Sequence, residues 1–330
     1  MGDRRREALS AANTAGVPRI VEAILPLTES SARRAALLLL PSLAANYESL
    51  DRLWIAAPAK QLEAVAAQVA AVAPPRTKFI SDEELLPELA TLNRWGLPPP
   101  GGWYRQQVIK LAISERMEGM FYLTLDDDVI AVNRFSDRDI LRDERAPRDQ
   151  DRTGYRAKTA AEPDENAAWM QASAWLLDAP PLNYQPDLTP SILSRKAVQG
   201  LIDRLRECRD PAARRWRVAA AVARGTGRVG LNGWKGRLLA HNVPWTEYTL
   251  YDTHLESSNS FFLWHYIPDD FRVLGNAYFS WTRAQFDAWK PRTHDGAGRR
   301  LLFNLVQSRS GISPEEVVAR VKRDARHTET

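Results

Sequence analysis

An apolar run, Met120-Phe-Tyr-Leu-Thr-Leu125, ends abruptly in three aspartates, Asp126, Asp127 and Asp128. The run has the composition of a buried strand: aromatic and β-branched residues alternate with leucines, and no Gly or Pro breaks it. Carboxylates stacked at the end of such a strand repel one another and resist desolvation unless a cation neutralises them. Oxygen-preferring divalent ions such as Mg²⁺ and Mn²⁺ are held by one or two carboxylates together with substrate phosphates. Asp126 and Asp128 therefore form a candidate Asp-x-Asp site for a metal–diphosphate. The alternative is a solvated acidic loop, since short acidic triplets also occur without a ligand.

The segments before the triplet alternate between strand and helix patterns. Arg19 to Leu25 reads as a first strand closed by Pro26, and Leu27 to Ser30 as a loop. Ser31 to Leu40 reads as a helix capped by Ser30 or Ser31, its apolar end stopping at Pro41. Further strands are expected at Leu50–Ala56, Thr77–Ile80 and Met120–Leu125, with helices at Lys60–Val72 and Tyr104–Met117 between them. Such alternation predicts an α/β fold with a mostly parallel central sheet and helices on both faces. Ligands of such sheets bind beyond the carboxyl ends of the strands, where both the Thr28 loop and the Asp triplet fall.

Later in the chain, residues 136–165 are highly charged and poor in apolar side chains, and read as a partly mobile surface excursion. A helix is expected at Lys196–Glu207, and a flexible segment at Gly225, Gly227, Gly230, Gly233 and Gly236. Pro244 to Leu250 opens a helical or mixed stretch, and Leu301–Val306 is a late strand. A final helix starts with Ser313 as cap and Pro314 in its first position. At 330 residues the chain is one large domain or two small ones.

Composition excludes several classes. The net charge of +4 is too small an excess to argue for a nucleic-acid binder. One cysteine, Cys208, rules out an intramolecular disulfide and a cysteine-based zinc site. No apolar stretch follows the basic residues Arg4–Arg6 before Val17, so a signal peptide is not expected, and Ala35–Leu40 is too short to span a bilayer. The expected location is the cytoplasm, with peripheral contact at the inner membrane through the basic N-terminus or exposed tryptophans. Eleven tryptophans, several in the second half, hint at a stacking surface for sugars or at amphipathic anchoring.

Two further constellations carry chemistry. In the helix before the triplet, a 3.6-residue period puts Trp103, Gln106, Gln107, Lys110 and Ser114 on one face, opposite Tyr104, Val108, Leu111 and Ala112. Two adjacent amides and a lysine can read hydroxyls and phosphates, although an amphipathic helix with a plain polar side has the same pattern. Downstream, Glu247 lies among Trp245, Tyr248 and Tyr251. Aromatic surroundings raise a carboxyl pKa and suit a general base. The alternative is a glutamate favoured by a helix start, with the aromatics in the core. Of the five histidines, none has a tight metal-ligand spacing; His265 is either a further metal ligand beside Asp128 or a buried, satisfied side chain. The run Gly225–Gly230 has a superficial likeness to a phosphate loop but follows no convincing strand.

Taken together, the strand ending in Pro-Leu-Thr, the stretch Gly102-Trp-Tyr-Arg-Gln-Gln-x-x-Lys-Leu111 and Tyr122-Leu-x-Leu-Asp-Asp-Asp128 resemble the nucleotide-sugar-dependent glycosyltransferases of the GT-A fold. More narrowly they are similar to a little-characterised bacterial group in which Trp-Thr-Glu-Tyr-x-Leu-Tyr, here Trp245 to Tyr251, also recurs. The resemblance implies a nucleoside-diphosphate sugar as donor, Mn²⁺ or Mg²⁺ as cofactor, and a surface glycan or glycolipid as acceptor. It implies a single compact GT-A domain in which residues 1–135 form the donor-binding half and 136–330 the acceptor-binding half. Asp128 would be the main metal ligand, with Asp126 at the metal or ribose and Asp127 beside them. Lys110, Gln106 and Gln107 would meet the donor, Thr28 would lie near the nucleotide base, and Glu247 would stand on the acceptor side. The chain departs from many inverting members in lacking an obvious Glu-Asp or Asp-His pair. Two other readings are a sugar-phosphate nucleotidyltransferase, disfavoured by the lack of a Gly-rich loop after the first strand, and a non-catalytic carbohydrate-binding protein of the same fold.

Overall fold

Successive side chains of the central strands point to opposite layers, and both layers are apolar. Ala23 and Leu25 of β1 (Val21–Pro26) pack on one face and Ile24 on the other; Phe121 and Leu123 of β4 (Phe121–Thr124) join the first face and Tyr122 the second. A sheet apolar on both sides must be covered on both sides. In the computed structural model, which describes residues 21–90, 101–151, 165–186, 189–207, 233–240, 243–280, 282–291 and 293–325, it is. β1, β2 (Leu53–Ala57), β3 (Thr77–Ser81) and β4 are parallel, and β9 (Ser191–Ser194) lies antiparallel to β4, in the order β3-β2-β1-β4-β9. Helices α1 (Glu29–Leu37), α2 (Leu39–Asn46) and α3 (Leu62–Val69) cover the first face. The second is covered by α4 (Gly102–Ala112), α5 (Glu165–Leu177), α6 (Arg195–Glu207), α7 (Trp234–Ala240) and α8 (Glu247–Ser257). The expected α/β architecture, mostly parallel with helices on both faces, is thus observed.

A smaller sheet brings the end of the chain back to the Asp triplet. β11 (Phe271–Ser280), β12 (Arg300–Val306) and β5 (Val129–Ala131) run in the order β11-β12-β5, with β12 antiparallel to β5. Val306 N–H donates to the Asp128 carbonyl at 3.0 Å, so the late strand ends against the triplet. The last helix, α9 (Pro314–Ala325), begins as expected: Glu316 N–H donates to Ser313 Oγ and Ser313 N–H to Glu316 Oε2, both at 3.2 Å.

Several boundaries differ from the expectation for identifiable reasons. Pro26 belongs to β1, opposite Ala56, where its missing N–H breaks no ladder bond because the next amide, Leu27, makes the contact to Ala56 O at 2.7 Å. The cap of α1 is Thr28, not Ser30 or Ser31; Ser31 Oγ accepts from Thr28 N–H at 2.9 Å, so the helix starts two residues early. Pro41 does not end the helical run. It is the third residue of α2, where a backbone donor has no intrahelical partner to lose.

The charged excursion is not merely a surface loop over its described part. It contains β6 (Ala146–Pro147), paired with β10 (His265–Tyr266), and β7 (Gln150–Asp151), paired with β8 (Gln185–Pro186), and it buries Ile140, Ala146 and Arg148. Arg148 can be buried because Asp252 and Ser191 Oγ accept from its guanidinium. Residues 152–164 of that expectation lie outside the described residues, as do Arg19, Ile20, Gly225, Gly227 and Gly230, the basic N-terminus, His241 and His327. Among the described residues no helix is long and apolar enough to cross a membrane.

At the amino end of the sheet, away from the triplet, Glu22 is a buried staple. It accepts from Arg52 at 3.2 Å and from the backbone N–H groups of Glu118 and Gly119, tying β1 and β2 to the turn before β4. Glu22→Ala would strand these donors and is expected to cost about 3 kcal/mol or more of stability; chemical denaturation measures it, and a loss below about 1 kcal/mol would contradict the staple role.

Candidate active site

Three elements meet at the carboxyl end of β4. α4 contributes Lys110, the β4–β5 turn contributes Asp126, and α8 contributes Glu247 from its first position. Lys110 is buried at 1% exposure, and its ammonium lies 2.6 Å from Asp126 Oδ1 and 2.9 Å from Glu247 Oε1. Tyr248 lies beside it: the ammonium is 5.4 Å from the ring centroid, and Tyr248 OH is 2.9 Å from Thr124 Oγ1, which in turn donates to Ser191 O. Tyr122 OH donates to Lys110 O at 2.9 Å, which fixes α4 over β4. Burial alone would lower the lysine pKa. The charges of Asp126 and Glu247 outweigh burial and hold it well above its usual value, so the group stays an ammonium.

Local sequence explains the position of Glu247. Thr246 caps α8, its Oγ1 accepting from Thr249 N–H at 3.0 Å, so Glu247 stands at the positive end of the helix. The α8 amide of Glu247 donates to Gln107 Oε1 at 3.1 Å, locking α4 against α8. Burial pushes the Glu247 carboxyl up, and Lys110 pulls it back only in part. Its Oε2 has no hydrogen-bond partner among the described residues. Both aspects read from the sequence coexist here: Glu247 is at a helix start, and it is in an aromatic, desolvated setting beside Trp245 and Tyr248.

The triplet divides its work. Asp126 faces Lys110. Asp127 Oδ2 is 3.9 Å from Arg34 Nε, on α1, whose Nη2 donates to Ile312 O at 2.7 Å. Asp128 is buried; Ser308 N–H donates to its Oδ2 at 2.9 Å, while its Oδ1 is buried without a partner among the described residues. An orphaned, desolvated carboxylate oxygen is the kind of donor a hard divalent ion fits. Among the described residues no three His, Cys, Asp or Glu side chains group as a metal site, so such an ion would rest on Asp126 and Asp128 and take its other ligands from substrate or water.

The other expected residues are placed as follows. Thr28 is half-buried at the α1 cap, beyond β1 and next to the β4 exit, where Leu125 N–H donates to Ile24 O at 3.0 Å. Gln106 is half-buried on α4. Gln107 and Ser114, read as members of a polar face, are buried; Gln107 serves the α4–α8 contact. His265 is buried, with Nε2 2.7 Å from Tyr251 OH and Nδ1 3.2 Å from Ala146 O, so both ring nitrogens are occupied by protein groups. Arg34, Ser308 and Tyr248 were not among the expected residues. Arg34 carried one legible signal, a cation in the second turn of the helix that follows the first strand. Ser308 acts through its backbone and carried none.

Burial first, then the charges of Asp128 and Asp126, push the Asp127 carboxyl up to about 7; burial and Asp126 push Asp128 to about 6. Aspartates of the unfolded chain titrate near 4. Between about pH 4 and 7 the folded state therefore binds more protons, and these groups make stability fall as pH rises. In chelator, Asp127→Asn is expected to stabilise the protein by roughly 1–3 kcal/mol at pH 8 and by almost nothing at pH 4. Melting temperatures across that range check this; an offset that does not change with pH would contradict it.

Among solved structures the chain is similar to mouse Xyloside xylosyltransferase 1 in its apo form, with 13% identity and a TM-score of 0.43 over 89% of this chain and 100% of that chain. It is also similar to glucosyl-3-phosphoglycerate synthase from Mycobacterium tuberculosis in complex with Mg²⁺ and uridine-diphosphate, with 18% identity and a TM-score of 0.24 over 38% of this chain and 37% of that chain. For the same synthase with Mn²⁺, UDP-glucose and phosphoglyceric acid, the shares are 37% and 36%. Likenesses with TM-scores this low carry no argument about what this chain does. No curated protein matches its sequence. Residues 19–327 match the Family of unknown function (DUF6492), and the chain belongs to that family.

Proposed function

We propose that the protein is a metal-dependent glycosyltransferase that moves a sugar from a nucleoside-diphosphate sugar to a hydroxyl of a surface glycan or glycolipid. The observation that carries this reading is the buried Lys110 between Asp126 and Glu247, next to the orphaned Asp128 Oδ1. Four carboxylates, Asp126, Asp127, Asp128 and Glu247, surround two cations, Lys110 and Arg34, so the site carries excess negative charge that a divalent ion would neutralise. It lies at the carboxyl end of parallel strands, where ligands of such sheets bind. The α/β architecture and the motifs that resemble the GT-A glycosyltransferases agree with it.

Asp126 and Asp128 would hold Mn²⁺ or Mg²⁺, which supplies Lewis-acid neutralisation of a leaving diphosphate. Lys110 would donate to the diphosphate oxygens as the bond from the anomeric carbon to the diphosphate breaks and negative charge develops, a contribution larger in the transition state than in the ground state. Glu247 Oε2 would take the proton of the acceptor hydroxyl as its oxygen bonds to that carbon. Desolvation and the lysine give Glu247 opposite pulls, and a base with a raised pKa transfers protons near neutral pH more effectively than an exposed glutamate. Thr28, Gln106 and Asp127 are the remaining side chains proposed to line the donor.

Glu247→Gln is expected to lower sugar transfer by about 100-fold or more while donor affinity changes only a few-fold. Near-normal turnover would remove Glu247 from the chemistry. For Asp128→Asn, the rise in melting temperature produced by nucleotide sugar with Mn²⁺ is expected to vanish; a full, EDTA-sensitive rise in that variant would rule out Asp128 as a metal ligand.

A further inference from the structure

The N-terminal parts of α4 and α5 and the residue before the α8 cap each bring a tryptophan into one aromatic cluster. Trp103 is the second residue of α4, Trp169 lies in the second turn of α5, and Trp245 directly precedes the cap of α8. Trp103 stacks obliquely on Trp169, centroids 5.8 Å apart at 32°, and meets Tyr104 edge-on at 4.8 Å; Tyr104 meets Trp245 at 6.1 Å. The α5–α8 contact is held by Ser173 and Thr249, whose hydroxyls are 2.7 Å apart and buried. Trp169 is one turn before Ser173 on the same helix face, and Thr249 shares the first turn of α8 with Glu247, so Trp169 lies on the face of α5 that packs against that turn.

Exposure and unpaired groups give this cluster a direction. Trp245 is fully buried, whereas Trp103, Tyr104 and Trp169 are only half-buried, so the aromatic wall runs from solvent inward. At its inner end two buried polar atoms lack partners among the described residues: the Trp245 indole N–H, a donor, and Glu247 Oε2, an acceptor. Buried indole N–H groups ordinarily find a partner. A hydroxyl group accepts from the first and donates to the second, whether it belongs to water or to the rim of a sugar. Trp103, Gln107 and Lys110 follow one line along α4, and seven residues of helix separate the Trp103 and Lys110 backbones by about 10 Å along its axis.

We infer that Trp103, Tyr104 and Trp169 form the acceptor subsite and that the acceptor is a saccharide, one ring of which lies with its C–H face on the Trp103–Trp169 pair. A lipid chain would cover an apolar wall but offers no polar group to the Trp245 N–H or Glu247 Oε2; a pyranose or furanose ring supplies both an apolar face and rim hydroxyls. This inference rests on the transferase reading for the role of the bound sugar, but not for its binding.

The test uses the full chain and an array of immobilised oligosaccharides with α- and β-linked hexoses and pentoses, read in Mn²⁺ with UDP or GDP. Melting temperatures with the same nucleotides are taken in parallel. The wild type is expected to be retained by at least one saccharide class. The double variant Trp103→Ala/Trp169→Ala is expected to lose about tenfold or more in that affinity, and Trp103→Phe/Trp169→Phe to keep most of it. No retained saccharide, or a double-alanine variant that binds like the wild type, would overturn the subsite. If the double-alanine variant does not melt cooperatively, Trp169→Ala alone is judged by the same criterion. Tryptophan-dependent saccharide binding without any nucleotide response would uphold the subsite and overturn the transferase reading. A nucleotide response without saccharide binding would do the reverse.

Discussion

A buried ammonium survives only between opposite charges, and Lys110 organises the whole carboxyl edge of the sheet on that principle. It draws Asp126 from the β4–β5 turn and Glu247 from the first position of α8 into one contact. The supporting contacts follow from it: Tyr122 holds the lysine backbone, Thr124 positions Tyr248 beside the ammonium, and Gln107 receives the α8 amide. All of these groups but Asp126, which sits in the turn just past β4, lie on a helix or strand, which is how a fold keeps a charged site in register.

The two ends of the sheet handle buried charge differently. Glu22, at the amino end, has its carboxylate shared among Arg52 and two backbone donors. At the carboxyl end, Asp128 Oδ1 and Glu247 Oε2 remain without partners among the described residues. Among those residues Asp82, Glu88 and Asp149 also keep a buried oxygen without a partner, so what sets the carboxyl end apart is that its unpartnered oxygens gather around one buried lysine. A second buried network, Arg148 with Asp252 and Ser191, anchors α8 from behind and fixes the helix whose first turn carries Glu247.

Much of this architecture was legible in the sequence where periodicity speaks. Strands β1 to β4 and β12, helices α4, α6 and α9, and the Asp triplet at a strand end all follow from local pattern and turn chemistry. Contacts distant in sequence were not legible. Gln107 and Lys110 sat on a polar helix face read as able to meet a ligand, and only the arrival of α8, more than 130 residues later, buries them. The charged excursion looked unable to fold inward because Arg148 finds Asp252 from 104 residues away. Thr28 was missed as a cap because Ser30 and Ser31 offered equally good local chemistry, and Ser308 reaches Asp128 through a backbone group that every residue possesses.

In the proposed transferase, Lys110 is the residue around which donor and acceptor would be arranged. The most direct measurement is release of nucleoside diphosphate from a panel of nucleotide sugars, in Mn²⁺ and in EDTA, by the wild type and by Lys110→Met, which keeps the side chain's bulk and removes its charge. The account predicts Mn²⁺-dependent release from one class of donor, lost by about 100-fold or more in the variant. Release that is equal in the two proteins, or absent with every donor, would contradict it.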